Sequence, residues 1–339
     1  MRAATLGGVV DLDIVFLGTS ASAPTAGRAP SALLVRRGGD RLLFDCAEGT
    51  QRQLMRSTLG LPDLEEIFLT HFHADHYLGL PGMLKTFSLR QRELPLTLYG
   101  PPGLRELYRS LGRVIGKLSY EVSLAELRPG EALDRDGYRV LVFPVHHGVS
   151  AIGYAIAEDE RPGEFDADAA DALGIPFGPE RGALQRGESI TLDDGRVLTP
   201  DAVLGQPRPG RHIVIPGDTA PVETVRVLAE GADVLVHEAT FLEDERDRAA
   251  DTLHSTALQA AEVARDAGVR LLALTHVSPR YFGPELAREA REVFPATVVP
   301  KDFDVIEVPF AERGTPELIR RGARPEKVSD TPASVDGAP

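Results

Sequence analysis

One cysteine, Cys46, is all that this 339-residue chain contains, so an internal disulfide framework is impossible and a reducing compartment is the natural fit. Also missing is any uninterrupted apolar run of about eighteen residues, the minimum for a membrane-spanning helix. The N-terminus, Met1-Arg2-Ala3-Ala4-Thr5 leading into Gly7-Gly8, lacks the apolar core of a signal peptide, and a cytoplasmic location is expected. Positive charge is in deficit: 37 Lys and Arg against 51 Asp and Glu leave a net −14. That argues against a generally basic surface that coats nucleic acid, but phosphate contacts need only a local patch. Arg105, Arg109, Arg113 and Lys117 recur every four residues and would form one cationic stripe on a helix, which a plain solvated face explains equally well.

Histidine is concentrated rather than scarce. Three of the nine histidines fall in His71-Phe72-His73-Ala74-Asp75-His76, with an aspartate among them. The preceding Glu66-Ile67-Phe68-Leu69-Thr70 reads as a buried strand, and Gly82 to Arg90 reads as helix, which puts the cluster on a strand-to-helix loop. A regular helix would send His73 away from His71 and Asp75, whereas a tight loop can turn all four side chains inward. Nitrogen and oxygen donors at about 2.0–2.2 Å suit zinc.

Short apolar strands recur along the chain with helices between them. Strands are expected at Asp13–Leu17, Ser31–Val35, Arg41–Asp45, Leu96–Tyr99, Tyr138–Phe143, Ile152–Ala157, His212–Ile215, Val234–Val236 and Leu271–Leu274. Gly38-Gly39-Asp40 marks a hairpin between the second and third. Helices are expected at Leu104–Lys117, Val222–Glu230, Ser255–Ala267 and Pro284–Phe294, the last with proline at its first position. The pattern predicts an α/β fold of two mixed sheets with helices outside. Residues 158–210, dense in Gly, Pro and charge, break it. They offer a small hairpin around Asp193-Asp194-Gly195 and read as a structured arm inserted in a domain spanning residues 1–311. After Ala311 the composition turns to Arg, Glu, Pro, Ser and Asp, and residues 312–339 read as a disordered tail.

More donors follow later strands: His147 beside His146, Asp218 after His212–Gly217, and His276 after Leu271–Thr275. Loops at one edge of a sheet can bring such residues together. The hexapeptide and these donors, in this order, resemble the metallo-β-lactamase superfamily. Within it, Phe44-Asp45-Cys46-Ala47-Glu48-Gly49-Thr50-Gln51, Pro216-Gly217-Asp218-Thr219, Val236-His237-Glu238-Ala239-Thr240-Phe241 and His254-Ser255-Thr256 are similar to the ribonuclease Z family, from about Leu12 to Pro309.

That resemblance implies an αββα sandwich with a protruding exosite arm for tRNA, in which Gly178-Pro179 would take part. It implies a zinc-dependent endoribonuclease that cuts the 3′ trailer from precursor tRNA, acting as a homodimer. Two Zn2+ per subunit are expected, with Mn2+ the alternative. His71, His73 and His147 would hold one ion, Asp75, His76 and His276 the other, and Asp218 would bridge. His147 is preferred to His146 because Gly148 follows it. Asp75 is expected to double as proton acceptor, and His254, paired with Glu238, as proton donor to the leaving oxygen. Asp45 is expected to support the metal loop, with Cys46 a small buried residue and His237 facing away. The family's Pro-x-Lys-x-Arg-Asn loop is Pro24-Thr25-Ala26-Gly27-Arg28-Ala29 here. Arg28 remains as a substrate-binding candidate, and the lost lysine and asparagine leave the response to an encoded CCA end open. A small-molecule hydrolase of the same superfamily would leave the arm without a use. A nuclease with a β-CASP insert needs a longer chain, and a non-catalytic module would be expected to lack some donors.

Overall fold

The run Leu12–Gly18 is buried on both faces, and a strand of that kind needs a layer on each side. In the computed structural model, which describes residues 10–57, 59–61 and 64–321, this run is β1. Ile14 and Phe16 point into a core between two sheets, while Val15 and Leu17 point into a second core under helices.

β2 (Ala32–Arg37) and β3 (Asp40–Phe44) form the expected hairpin, with Val35 opposite Leu42. After α1 (Thr50–Arg56), strands β4 (Glu66–Phe68), β5 (Leu96–Gly100) and β6 (Val122–Glu126) add to β3 in parallel. Helices α2 (Ala74–Tyr77), α3 (Leu80–Leu89) and α4 (Leu104–Ile115) fill the crossovers. The chain then opens a second sheet with the meander β7 (Ala132–Arg135), β8 (Tyr138–Pro144) and β9 (Ile152–Glu158).

Between β9 and the next strand of this sheet lie α5 (Ala167–Ala172), α6 (Pro179–Gln185) and the hairpin of β10 (Ile190–Thr191) and β11 (Val197–Leu198). This segment has a small core of its own, built on Ala170, Ile175, Leu184 and Val203. Its two stems are zipped by bridges at Arg161–Arg208 and Phe165–Leu204.

Back in the second sheet, β12 (His212–Gly217), α7 (Glu223–Leu228), β13 (Val234–Glu238), α8 (Arg246–Thr252), α9 (Ala257–Ala267), β14 (Leu271–Thr275), α10 (Gly283–Arg291) and β15 (Thr297–Val298) follow, with β12 to β15 parallel. β16 (Val305–Glu307) returns to pair antiparallel with β1, and β17 (Glu317–Ile319) closes that edge. The orders are β17-β16-β1-β2-β3-β4-β5-β6 and β15-β14-β13-β12-β9-β8-β7. The sheets pack face to face through the aromatic cluster of Phe44, Phe68, Tyr99 and Tyr154. Alanines along α9 let it sit close on the outer face of β13 and β14. Helices on both outer faces make this an αββα sandwich.

Sequence patterning missed β6 and β7, which are short and have no fully buried residue. It also placed β17 in the tail. Glu317–Ile319 pairs residue for residue with β16, Arg320 bonds Asp304, and Arg321 reaches Glu307 at 3.3 Å. The remainder of the expected tail, 322–339, lies outside the described residues.

Candidate metal centre

The parallel runs in each sheet put successive chain exits on one edge. Asp45 follows β3, His71 and His73 follow β4, and Asp218, Glu238 and His276 stand at the ends of β12, β13 and β14. His147 leaves the end of β8. The hexapeptide is half loop and half helix: His73 is the N-cap of the single-turn α2, and Asp75 and His76 lie within it. Two loops meet here so closely that a Cβ on Gly217 would fall 2.9 Å from the Thr70 Cβ, and its φ is +72°. Only glycine meets both demands. Asp45 (φ 59°) and His276 (φ 55°) are themselves left-handed, a strain that concentrates at sites where geometry is dictated.

The donors converge. Candidate ligand atoms of His71, His73 and His147 lie within 4.8 Å of one another, as do those of His71, His76 and Asp218, and those of Asp75, His76 and His276. Asp218 Oδ2 sits between the groups, 3.3 Å from His76 Nε2, 3.3 Å from His276 Nε2 and 3.8 Å from His71 Nε2. Asp75 Oδ2 lies 3.4 Å from His276 Nε2. His147 Nε2 and His73 Nδ1 are 3.1 Å apart. Among the described residues, His71 Nε2 and His76 Nε2 are buried without a hydrogen-bond partner. A buried imidazole nitrogen left unpaired is costly, and shared cations would satisfy it. The donor set therefore fits divalent metal.

Behind the donors stand two matching relays. His71 Nδ1 is 3.0 Å from the Thr70 hydroxyl, which donates to Asp45 at 3.0 Å, and Asp45 accepts from His76 Nδ1 at 2.7 Å. His276 Nδ1 is 2.8 Å from the Thr240 hydroxyl, which donates to Glu238 at 2.6 Å, and Glu238 accepts from His254 Nδ1 at 2.7 Å. Each threonine has one proton, and the carboxylate takes it. The neighbouring Nδ1 must then carry its own proton, which leaves Nε2 of His71 and His276 as a free donor. His147 Nδ1 is fixed likewise on the Leu253 carbonyl at 3.0 Å.

Burial and charge set the protonation states. Burial, with the cationic forms of neighbouring imidazoles, pushes His71 well below the ordinary histidine range. Burial opposes charge on Asp218, yet His276 and His76 hold it well below the carboxylate range. His254 is also partly desolvated, but Glu238 prevails and lifts it to about 9. Glu238 is lowered in turn, against its own burial, chiefly by His254. Asp75 is held below the carboxylate range against burial by His276 and His76, and its Oδ2 also accepts the Ser22 amide at 2.7 Å.

The expected start of α9 at Ser255 shifts to Ala257, with Thr256 and Gln259 forming a capping box. Ser255 is thereby freed to bond the Thr219 carbonyl at 2.7 Å, tying the His254 segment to the Asp218 loop.

Other candidates stand apart. His146 is exposed, and His237 is buried with its Nδ1 on the Glu238 carbonyl at 2.8 Å. Cys46 is buried, and burial pushes its thiol up. Arg28 turns inward: its guanidinium donates to Thr19 Oγ1 at 2.6 Å and to the Pro300 carbonyl at 2.8 Å. Gly178 caps α6 and Pro179 begins it, next to Phe177, which is 94% exposed. Arg105, Arg109, Arg113 and Lys117 are all exposed. Thr70, Thr240 and Ser22 were not singled out from the sequence. The first two flank the hexapeptide and end the His-Glu-Ala-Thr element, a usable signal, whereas Ser22 acts through its backbone and left none.

A family model described as a beta-lactamase superfamily domain matches residues 40–203. Ribonuclease Z of Halorubrum lacusprofundi is 46% identical over 308 residues, covering 89% of this chain and 99% of the relative. Ribonuclease Z of Myxococcus xanthus is 47% identical over 305 residues, with 89% and 99% covered. Among solved structures, the short form of human tRNase Z superposes with a TM-score of 0.65 at 28% identity, covering 88% of this chain and 100% of its own.

Proposed function

We infer, because this chain belongs to the ribonuclease Z family of metallo-β-lactamase-fold hydrolases, that it removes the 3′ trailer from precursor tRNA. It is an endoribonuclease that hydrolyses one phosphodiester bond, leaving a 3′-hydroxyl on the tRNA and a 5′-phosphate on the trailer. The observation that supports this best is the coupling of a two-group donor set to the Glu238–His254 pair, 2.7 Å apart.

His71, His73 and His147 would hold one zinc ion and Asp75, His76 and His276 a second, with Asp218 shared between them. When bound, the ions supply activation of water near neutral pH and neutralisation of phosphate charge. The chain's own residues do the rest. Asp75 orients the attacking water and accepts its hydrogen bond; a carboxylate held so low keeps a proton poorly, so positioning is its larger part. His254, cationic at neutral pH through Glu238, donates a proton to the departing 3′-oxygen of the tRNA. Arg28 braces the loop at 24–29 from inside.

The arm at 158–210 is read as the tRNA-gripping element, with Gly178-Pro179 at the start of α6 and exposed Phe177 beside them as contact candidates. A homodimer is proposed, by the family's habit of serving one site with the other subunit's arm. The described helices include none long and apolar enough to cross a membrane.

Mapping the products tests the reading. Zinc-loaded protein should cut after the discriminator base and leave the stated ends. Hydrolysis of small esters with precursor tRNA left intact would contradict it.

A further inference from the structure

The arm joins the body through contacts that the chemistry does not use. Glu158, the last residue of β9, opens the arm, and Arg211, just before β12, directly follows its end. Arg211 Nε is 2.7 Å from Glu158 Oε2, and Arg37 Nε from β2 is 2.7 Å from Glu158 Oε1. The side chains of Arg211 and Glu158 are 3% and 4% exposed, so this is a buried ion pair that breaks badly if one member is removed, with the partly exposed Arg37 flanking it. Arg211 also donates to the carbonyls of Val308 and Val10, at 3.1 and 2.7 Å.

The segment after β16 closes around this root. The Phe310 ring packs against two guanidinium groups, Arg161 at 3.4 Å on the first stem and Arg211 at 4.1 Å. Two residues on, Glu312 receives both stems. Arg161 reaches it at 2.9 Å, and Arg208, paired with Arg161 across the arm, reaches it at 3.5 Å. Both stems therefore converge on one short piece of chain near the C-terminus. An arm of some fifty residues that must grip a rigid RNA needs a fixed angle at its root, because a small tilt there is magnified at the tip.

We propose that residues 308–312 are the anchor that sets the arm's angle, with Phe310 and Glu312 as positioning residues for precursor tRNA. The proposal rests on the nuclease reading above. The anchor lies away from the metal donors, so it should govern RNA binding and leave bond cleavage alone.

Phe310→Leu keeps an apolar side chain but removes the aromatic ring that both guanidinium groups pack on, and Phe310→Tyr keeps it. Glu312→Gln tests the second contact at an exposed position where folding is not at risk. In full-length zinc-loaded protein, Phe310→Leu and Glu312→Gln should each raise KM for precursor tRNA about five-fold, the scale of losing such contacts. Their kcat, and their turnover of a small aryl phosphodiester, should stay at wild-type level, and Phe310→Tyr should restore KM. Amide hydrogen exchange should quicken in the stems at 159–165 and 204–210 and not around His71.

Unchanged KM together with unchanged stem exchange would overturn the proposal. So would a parallel loss of both activities, which marks general destabilisation. If wild-type protein fails to cut precursor tRNA, the nuclease reading falls, and the exchange experiment alone still decides whether 308–312 anchors the arm.

Discussion

Glu238 Oε1 accepts the Nδ1 proton of His254 at 2.7 Å, while its Oε2 takes the Thr240 hydroxyl proton at 2.6 Å. One carboxylate thus holds the proposed proton donor and, through Thr240, orients the metal-donor histidine His276.

This pairing predicts a pH profile. His254 is raised to about 9, so its cationic donor form is essentially complete at neutral pH and disappears as pH rises through about 9. Precursor tRNA cleavage should show an alkaline limb there. Glu238→Gln removes the charge that lifts His254, so the limb should move toward neutrality; rate–pH profiles of kcat for the two proteins check it.

Metal stoichiometry is a second test. Wild-type protein should retain two zinc ions per subunit after dialysis, and His147→Ala about one. Asp218→Ala should lose affinity at both, since its Oδ2 faces His71, His76 and His276 together. Zinc at 100 times its Kd should add about 2.7 kcal/mol of stability per occupied site, seen as a rise in Tm.

The two relays give a third. Thr70→Val and Thr240→Val keep shape but delete the hydroxyl that fixes Nδ1 of His71 and His276. Zinc affinity should fall about 10–100-fold in each, measured by competition with a chromophoric chelator. Unchanged affinity would show that packing alone sets the ring tautomers.

Asp302 supplies a stability prediction away from the site. Burial raises its carboxyl to about 6, against bonds from the Ala29 amide and the Thr19 hydroxyl. A folded pKa above the unfolded one means stability falls as pH rises from about 4 through about 6. The group's share of that fall is about 3 kcal/mol. Urea unfolding of Asp302→Asn should lack it.

The metal donors were legible in the sequence because each follows a strand and because histidine and aspartate are rare enough in such places to stand out. The two sheets were legible in outline for a similar reason: β1, β12, β13 and β14 are continuous apolar runs. Strands such as β6, β7 and β17 are short and largely half-exposed, so too few of their residues are fully buried to mark them in the sequence. Arg28 was expected at the RNA because a family motif places it in a loop. The buried acceptors that draw it inward, Thr19 Oγ1 and the Pro300 carbonyl, are set by tertiary packing that a motif does not contain. Ser22 is the extreme case, since any residue supplies the amide that holds Asp75.

In the proposed mechanism His254 serves the leaving group, while the metal donors would hold the ions that activate the attacking water. That mechanism is tested most directly by comparing His254→Ala with wild type on two substrates under single-turnover conditions. One is a precursor tRNA, whose leaving 3′-oxygen needs a proton; the other is a small phosphodiester with a nitrophenolate leaving group, which does not. His254→Ala should lose about 10²–10⁴-fold on the tRNA and nearly nothing on the aryl ester. Equal losses on both, or full activity on the tRNA, would contradict the mechanism.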